Sequence, residues 1–427
     1  MDKKIIQSER LGEEYIEVNH KSGLKILLYP MKGYSTTYAL FGTKYGSLNT
    51  TFKTQKDDDF VTVPEGIAHY LEHKLFESED GVDAFDKYAK TGACANAYTS
   101  FDKTCYLFAC SDNFKQSLEI LLDTVTHPYF TPENVEKERG IIGQEIQMYD
   151  DDPNWRVYFN LLSALYVNHP LKIDIAGTTE TIAKIDAPLL YRCYNTFYNL
   201  HNMVLTIAGN FSADEALEVC DRMLETAEPM EIENKVADEP NEVCEKEVVM
   251  NLPVSIPMFQ IGYKGINNGE DRNAKDQIID DILIEIIAGE TTELYSELYK
   301  KGIINGSFGT ESMAGFDYNC CIFSGESEKP YEVQKALNDR INSLKKDGIS
   351  DEEFARAKKN IYGKMVGILC TTESVASVLI NAYFSGFGAY ELLEFVSNAT
   401  KEKVYSRLTE NIDTNRSSIS VIMPADK

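Results

Sequence analysis

The most informative stretch of this sequence is residues 66–77, GIAHYLEHKLFE. Apolar residues recur around it at helical spacing, which predicts a helix with Pro64 in its first turn. His69 and His73 are four residues apart, so a helix puts both imidazoles on one face, one turn apart. Glu72 projects beside that face. Two imidazoles in this arrangement can share one metal ion, and the neighbouring carboxylate can hold a water molecule against it.

A catalytic zinc site needs a third protein ligand and one open position, so we expect an acidic residue from another element. A second helix is predicted from Thr131, which caps it, to about Tyr149. Glu138 and Glu145 lie seven residues apart on this helix, which is two turns, and therefore point the same way. Spacing alone does not choose between them. Taken singly, either carboxylate would be expected to face solvent.

The rest of the chain predicts an α+β protein with two similar halves. Strand and helix patterns fill the first part up to about residue 225, and the same order of elements returns after residue 245. Between them the sequence loses apolar periodicity and gains charge and two prolines, as exposed connections do. The predicted domains are therefore 1–230 and 246–427, joined by a linker at 231–245.

Composition narrows the range of partners. The chain has 427 residues, 43% of them hydrophobic, which is too long for a single ordinary core. Its formal charge of −26 should repel nucleic acid and anionic membranes, so neither is an expected partner. We find no signal peptide and no apolar run of bilayer length, and the nine cysteines form no paired framework. These features predict a cytoplasmic protein.

The histidine stretch, followed by Glu145 within KERGIIGQEIQMYDDDP at 137–153, resembles the pitrilysin/insulinase family of zinc peptidases with an inverted HxxEH motif. The resemblance continues through ANAYTS at 95–100 and LLYRCYNTFYNLHNMVLTIAGN at 189–210. It covers most of residues 15–225, while the second half matches loosely. It implies two similar domains, each an antiparallel sheet packed with helices, and one Zn²⁺ per chain in the first domain.

The resemblance also implies a role for individual residues. Glu145 would be the third zinc ligand, and Glu138 a nearby carboxylate that orients a ligand. Glu72 would act as the general base for the attacking water. The strand that resembles ANAYTS pairs with the substrate backbone in this family, so Asn96 and Ala97 are candidate substrate contacts; an ordinary strand and turn is the alternative.

One family feature is missing from the second half. Active members use an arginine and a tyrosine there, in a stretch resembling Leu-Arg-x-Lys-x-Gly-Leu-x-Tyr. The corresponding stretch here is ELYKKGIINGSF at 297–308, with Tyr299 in the arginine position and Asn305 or Gly306 in the tyrosine position. A branch resembling mitochondrial processing peptidase divides the site between two subunits. We therefore expect the zinc-bearing subunit of a heterodimer, or a homodimer if Tyr299 or Tyr318 replaces the missing donors.

The expected function is a zinc metalloendopeptidase that hydrolyses short or unfolded peptides. The first alternative is a non-catalytic scaffold or assembly subunit of the same fold, since relatives of that kind exist in the family. The second is a histidine-bearing binding module without metal. The catalytic hypothesis is favoured because all four groups of the motif are intact, namely His69, Glu72, His73 and Glu145.

Overall fold

The computed structural model describes residues 2–266, 274–315 and 317–425. The strands are β1 (Asp2–Ser8), β2 (Glu13–Asn19), β3 (Lys25–Pro30), β4 (Thr37–Thr43), β5 (Thr51–Thr54), β6 (Val61–Thr62), β7 (Cys94–Thr99), β8 (Thr104–Cys110), β9 (Met203–Gly209), β10 (Ile232–Asn234), β11 (Glu247–Leu252), β12 (Met258–Lys264), β13 (Gly309–Gly315), β14 (Tyr318–Glu326) and β15 (Ser417–Pro424). The helices are α1 (Ile67–Lys74), α2 (Ala84–Ala89), α3 (Phe114–Thr126), α4 (Pro132–Asp150), α5 (Pro153–Leu165), α6 (Thr179–Ile182), α7 (Ala187–Phe197), α8 (Ala213–Met223), α9 (Ala274–Ala288), α10 (Glu293–Lys300), α11 (Pro330–Asp347), α12 (Asp351–Ile368), α13 (Thr372–Phe384), α14 (Glu391–Asn398) and α15 (Lys401–Asn411).

The chain forms two compact units. Unit 1 contains Met1–Ile146, Asp174–Lys235 and Ile368–Ala389, and unit 2 contains Gln147–Ile173, Val236–Gly367 and Tyr390–Lys427. The main change of unit, between residues 235 and 236, falls inside the linker predicted at 231–245. Each half of the sequence also gives one helix to the other unit, α5 to unit 2 and α13 to unit 1. The two units are therefore not separated by a single boundary in the sequence.

The main sheet of unit 1 has the strand order β1-β2-β3-β9-β4-β8-β7. β3 and β9 are parallel, and the other neighbours are antiparallel. Every residue of the central strands β4 and β9 is buried. This is because α13 packs on both strands and α3 packs on β4 and β8. A second, small sheet in this unit has the order β10-β5-β6.

The sheet of unit 2 repeats five strands of this arrangement. Its order is β11-β15-β12-β14-β13, with β11 and β15 parallel and the other neighbours antiparallel. These strands correspond in order and direction to β3-β9-β4-β8-β7. The exchanged helix α5 packs on β12 and β15, as α13 packs on β4 and β9. The predicted fold class, α+β with two similar domains, is therefore confirmed.

One glycine in each sheet lets the exchanged helix approach closely. A Cβ atom built on Gly42 of β4 would lie 2.5 Å from Cδ1 of Ile380 on α13. A Cβ atom on Gly262 of β12 would lie 2.7 Å from Cδ1 of Leu165 on α5. Real Cβ atoms do not approach other atoms this closely, so a larger residue at either position would have to displace the terminal methyl group of the side chain on the exchanged helix.

A buried ion pair holds the start of the second half inside unit 2. Nζ of Lys264 lies 2.5 Å from Oε1 of Glu239, and both side chains are almost fully buried. The Glu239 carboxylate also accepts the backbone N–H groups of Val167, Asn168 and His169. The contact with Lys264 and the three backbone hydrogen bonds keep the pKa of Glu239 below its ordinary value, although burial acts to raise that pKa. The carboxylate therefore joins the chain after α5 to strand β12.

In the part of the chain that the structure describes, no single helix combines the length and apolarity needed to cross a bilayer. The consecutive helices α12 and α13 meet the length and composition limits only when they are counted together across a bend.

Candidate metal centre

Helix α1, which carries the histidines, begins at Ile67, so Pro64 lies before the helix and not in its first turn as predicted. The residue before it, Gly66, has φ +84°, which a helix cannot contain. A Cβ atom on Gly66 would lie 2.3 Å from the carbonyl oxygen of Ala176, so a close backbone contact also requires glycine here. The prediction of the helix start was wrong because the proline signal was given more weight than the glycine that follows it.

The three residues proposed as ligands, His69, His73 and Glu145, lie together on α1 and α4. Nε2 of His69 lies 3.7 Å from Oε1 of Glu145, and Nε2 of His73 lies 3.3 Å from Oε2. Ligand atoms of the three residues lie within 4.8 Å of one another, the spacing of a group that can hold a metal ion. Thr131 caps α4 through the N–H of Asn134, as predicted.

Glu138 occupies a different position from Glu145. Its Oε1 lies 3.1 Å from Nδ1 of His73, and its side chain is buried. Nδ1 is the ring nitrogen that does not face Glu145. A carboxylate at this position fixes the orientation of the imidazole and directs Nε2 toward a metal. The two glutamates, which spacing could not distinguish, are therefore distinguished by the histidine nitrogen that each contacts.

The two imidazoles have opposite charge preferences without metal. Burial, together with the neighbouring His73, lowers the pKa of His69 to about 4. Burial also lowers the pKa of His73, but hydrogen bonds to Glu138 and Glu145 outweigh it and raise that pKa to about 10. At neutral pH the metal-free site thus contains one neutral and one protonated imidazole between two carboxylates.

Glu72 is buried next to this group and has one hydrogen-bond donor. Oγ1 of Thr99, the last residue of β7, donates to Oε2 of Glu72 over 2.7 Å. Burial raises the pKa of Glu72, and the hydrogen bond from Thr99 partly opposes the shift. Thr99 belongs to the ANAYTS stretch but was not among the predicted site residues. The bond fixes one carboxylate oxygen and leaves Oε1 for other contacts.

Strand β7, which contains Asn96 and Ala97, is the last strand of its sheet. Its residues alternate between exposed and half-buried. The N–H of Ala97 donates to Oδ1 of the preceding Asn96 over 2.9 Å, so this group is not used in the ladder with β8. An unpaired edge of this kind can accept another extended segment as an additional strand.

The stretch at 297–308 in unit 2 offers other groups than the family's arginine and tyrosine. Tyr299 is half exposed at the end of α10, and its ring stacks on Tyr295. The amide of Asn305 donates to Glu326 over 2.8 Å and accepts the N–H of Ser307 over 2.8 Å. Asn305 is therefore bonded within its own loop. The absence of the family's arginine and tyrosine from this stretch is a prediction from the sequence alone.

The described residues of unit 2 contain no counterpart of the histidine pair. By position in the fold, α9 corresponds to α1 and α12 to α4, and neither contains a histidine. Glu285 of α9 instead accepts a 2.6 Å hydrogen bond from Asn360 and lies 3.1 Å from Nζ of Lys364, both on α12. A hydrogen-bonded ion pair thus links these helices where unit 1 has a candidate metal centre.

The donor set of unit 1 fits zinc. Two imidazole nitrogens and one carboxylate oxygen are the usual ligands of a catalytic zinc with an open position, and the same set accepts cobalt or manganese. The Nδ1 contact between His73 and Glu138 is the outer interaction that such histidines normally make.

Comparison with known proteins agrees with the geometry. Residues 63–179 match the family model described as Insulinase (Peptidase family M16), and residues 184–361 match the model described as Peptidase M16 inactive domain. A Bacillus subtilis (strain 168) protein named uncharacterized zinc protease YmfH is 36% identical over 431 residues, covering 99% of each chain. Uncharacterized zinc protease YmxG from the same organism is 25% identical over 73% of this chain and 76% of its own.

Solved structures show the same fold. An M16-like peptidase from Alicyclobacillus acidocaldarius superposes with a TM-score of 0.91 at 31% identity, covering 99% of this chain and 98% of that one. Pitrilysin superposes with a TM-score of 0.75 at 17% identity, covering 100% of this chain but 47% of the pitrilysin chain. The chain therefore belongs to the insulinase family of peptidases, family M16, as a half-size member of the pitrilysin/insulinase group.

Proposed function

We propose that the chain is a zinc-dependent endopeptidase that hydrolyses short or unfolded peptides. The observation that carries this proposal is the convergence of both histidine Nε2 atoms on the Glu145 carboxylate, with the buried Glu72 beside them. His69, His73 and Glu145 would hold one zinc ion. The names of the relatives YmfH and YmxG, which contain the words zinc protease, support the same metal and reaction class.

The catalytic step needs a base that first accepts and then returns a proton. A bound zinc would polarise the scissile carbonyl and lower the pKa of water to about 7. Glu72 would accept the proton of the attacking water at Oε1, because Thr99 already donates to Oε2. It would then deliver the proton to the leaving amine nitrogen. The raised pKa of Glu72 suits this exchange, since a base that must return its proton near neutral pH should bind it more tightly than an exposed carboxylate does.

The peptide would bind along β7. An extended substrate could pair with the unpaired edge of this strand, exchanging the Ala97 N–H bond to Asn96 for a bond to its own carbonyl oxygen. Pairing through backbone groups depends little on the side chains of the substrate. It is therefore consistent with cleavage of unfolded peptides of many sequences. Glu138 would hold the His73 imidazole in the same orientation during the reaction.

We further propose that a homologous subunit completes the site with an arginine and a tyrosine, giving a heterodimer. The support is the stretch at 297–308, where Tyr299 and Asn305 stand in place of these donors. A homodimer is the alternative if Tyr299 or Tyr318 serves instead. A reducing cytoplasm would suit the nine cysteines, none of which forms a disulfide within the described residues.

The second candidate function is a non-catalytic scaffold or assembly subunit of the same fold. It is suggested by the missing donor pair and by the match of residues 184–361 to the inactive-domain model. Retention of His69, Glu72, His73 and Glu145 argues against it, because a scaffold does not need a general base beside an intact ligand set.

The test is cleavage of a mixed pool of unstructured peptides, read by mass spectrometry. The purified chain is compared with Glu72→Gln at matched zinc content, and with Glu133→Gln, the same chemical change at an exposed position of α4. The proposal predicts cleavage by the wild type and by Glu133→Gln, and loss of cleavage in Glu72→Gln.

The partner proposal is tested in the same assay. If no zinc-loaded form cleaves alone, the homologous half-size chain that carries the arginine and tyrosine is added. Cleavage that then depends on Glu72 supports the heterodimer. Absence of cleavage under both conditions would favour the scaffold function.

A further inference from the structure

Lys74, the residue after His73, is a lysine whose side chain is completely buried. Its Nζ lies 2.8 Å from Oε2 of Glu77 and 4.0 Å from Oε2 of Glu138. Lysine is rarely buried without a strong partner, because removing an ammonium group from water is costly. Glu77, which is partly exposed, supplies that partner. The contact with Glu138 suggests an additional role.

The two oxygens of Glu138 are divided between two cationic or donor groups. Oε1 lies 3.1 Å from Nδ1 of His73, and Oε2 faces Nζ of Lys74. The hydrogen bond fixes Oε1, and the attraction of the Lys74 ammonium group over 4.0 Å, which is too long for a hydrogen bond, favours the orientation in which Oε2 faces Lys74. Lys74 and His73 are consecutive on α1, whereas Glu138 comes from α4, so this carboxylate links the two helices that carry the proposed metal ligands.

We propose that Lys74 is a positioning residue for the metal centre. Its ammonium group holds the Glu138 carboxylate in the orientation that fixes the His73 imidazole, so that Nε2 of His73 faces the same point as His69 and Glu145. This inference rests on the zinc site of the proposed function. It adds to that site a residue that does not touch the metal, the substrate or the water.

A purely electrostatic role makes the opposite prediction. Lys74 carries a positive charge close to a site for a divalent cation, so its removal would relieve repulsion and strengthen metal binding. Loss of orientation would weaken binding instead. Contacts that orient a ligand of a metal are typically worth about 10–100-fold in affinity. Because Lys74 acts through Glu138, we expect the lower end of this range.

The first experiment measures zinc affinity by chelator competition on metal-free protein. Lys74→Met is expected to weaken zinc binding about tenfold. Lys74→Arg, which keeps the positive charge, is expected to retain most of the wild-type zinc affinity. The matched control is Lys137→Met, because the Lys137 ammonium group contacts the same Glu77 over 3.3 Å from a largely exposed position on α4. Its zinc affinity should equal that of the wild type.

The second experiment asks whether Lys74 acts through Glu138. In a double-mutant cycle, Lys74→Met should weaken zinc binding in the wild type but have little effect in Glu138→Gln. The visible absorption of the Co²⁺-loaded protein gives an independent readout, and Lys74→Met should change the band shape as Glu138→Gln does. A merely structural lysine would change the thermal stability of the metal-free protein without changing these bands.

The outcomes separate the two proposals. If the wild type itself does not bind zinc, the proposed function fails. If the wild type binds zinc and Lys74→Met binds it equally well or more tightly, the role of Lys74 is refuted while the zinc site stands. Should Lys74→Met fail to fold, Lys74→Gln is measured in the same way, and unchanged affinity in that variant would equally refute the inference.

Discussion

Zinc binding should release one proton, and that proton should come from His73. Without metal, the pKa of His73 is raised to about 10, whereas that of His69 is lowered to about 4. At pH 6, protonated His73 then exceeds the neutral form by about ten thousand to one, while about 1% of His69 is protonated. A metal binds only neutral imidazole, so occupation of the site must displace one proton from His73 and almost none from His69.

The proton count is measured by isothermal titration calorimetry in buffers of different ionisation enthalpy at pH 6. This pH lies below the pKa of about 7 that zinc confers on water, so water contributes little to the count. The Glu72→Gln variant is used because it removes the titration of Glu72. The expected result is release of about one proton per zinc. A count near zero or near two would refute the assigned charges of the two histidines.

The His73 proton also determines how zinc affinity depends on pH. Between pH 4 and about pH 7, where the zinc-bound water is not yet ionised, the apparent affinity should rise about tenfold per pH unit, because one proton competes with one zinc ion. Glu138→Gln removes a hydrogen bond that raises the pKa of His73, so the contribution of the His73 proton to this pH dependence should end at a lower pH than in the wild type. An unchanged profile in Glu138→Gln would contradict the role of this carboxylate.

Three further predictions follow from named contacts. Thr99→Val should lower kcat/KM about tenfold or more at unchanged zinc content, since hydrogen bonds to charged groups are worth about 1.5–3 kcal/mol; equal activity would exclude Thr99 from orienting Glu72. Glu239→Gln should lower the free energy of unfolding by about 3–5 kcal/mol in urea titrations, because Lys264 stays buried without its partner. Gly262→Ala should lower the free energy of unfolding by about 1–3 kcal/mol, because the new methyl group overpacks against Leu165. Gly140→Ala, in open space on α4, should raise the free energy of unfolding by about 0.5–1 kcal/mol. Equal effects at the two glycines would contradict the helix–sheet contact.

The elements of the metal centre could be predicted because helical spacing is a local property. Four residues separate His69 from His73, and seven separate Glu138 from Glu145, so the sequence itself gives the face on which each pair lies. Which glutamate meets Nε2 and which meets Nδ1 depends on the crossing of α1 and α4. That crossing is set by tertiary packing, and spacing along one helix contains no information about it.

Other features depended on contacts between segments that are distant in sequence. The exchange of α5 and α13 was missed because an amphipathic helix does not specify which sheet it covers. The edge strand β1 and the small strands β5, β6 and β10 were also missed. β1 is largely exposed, and the other three have two to four residues each, so the alternating pattern used to predict strands is weak there.

Two residues beside the site gave signals that could have been used. Thr99 lies in the ANAYTS stretch and ends strand β7. A hydroxyl at the end of a strand that leads to the site can donate a hydrogen bond to a buried carboxylate. Lys74 directly follows His73 inside an apolar segment, and Glu77 lies three residues later. A lysine on the buried side of a helix with a glutamate at i+3 indicates an internal ion pair.

The most direct test of the zinc site is anomalous diffraction at the zinc absorption edge from crystals of the zinc-loaded Glu72→Gln protein. The site described here predicts one peak at about 2.0–2.2 Å from Nε2 of His69, Nε2 of His73 and a carboxylate oxygen of Glu145. A peak held by other residues, or no peak in protein that contains stoichiometric zinc, would contradict it.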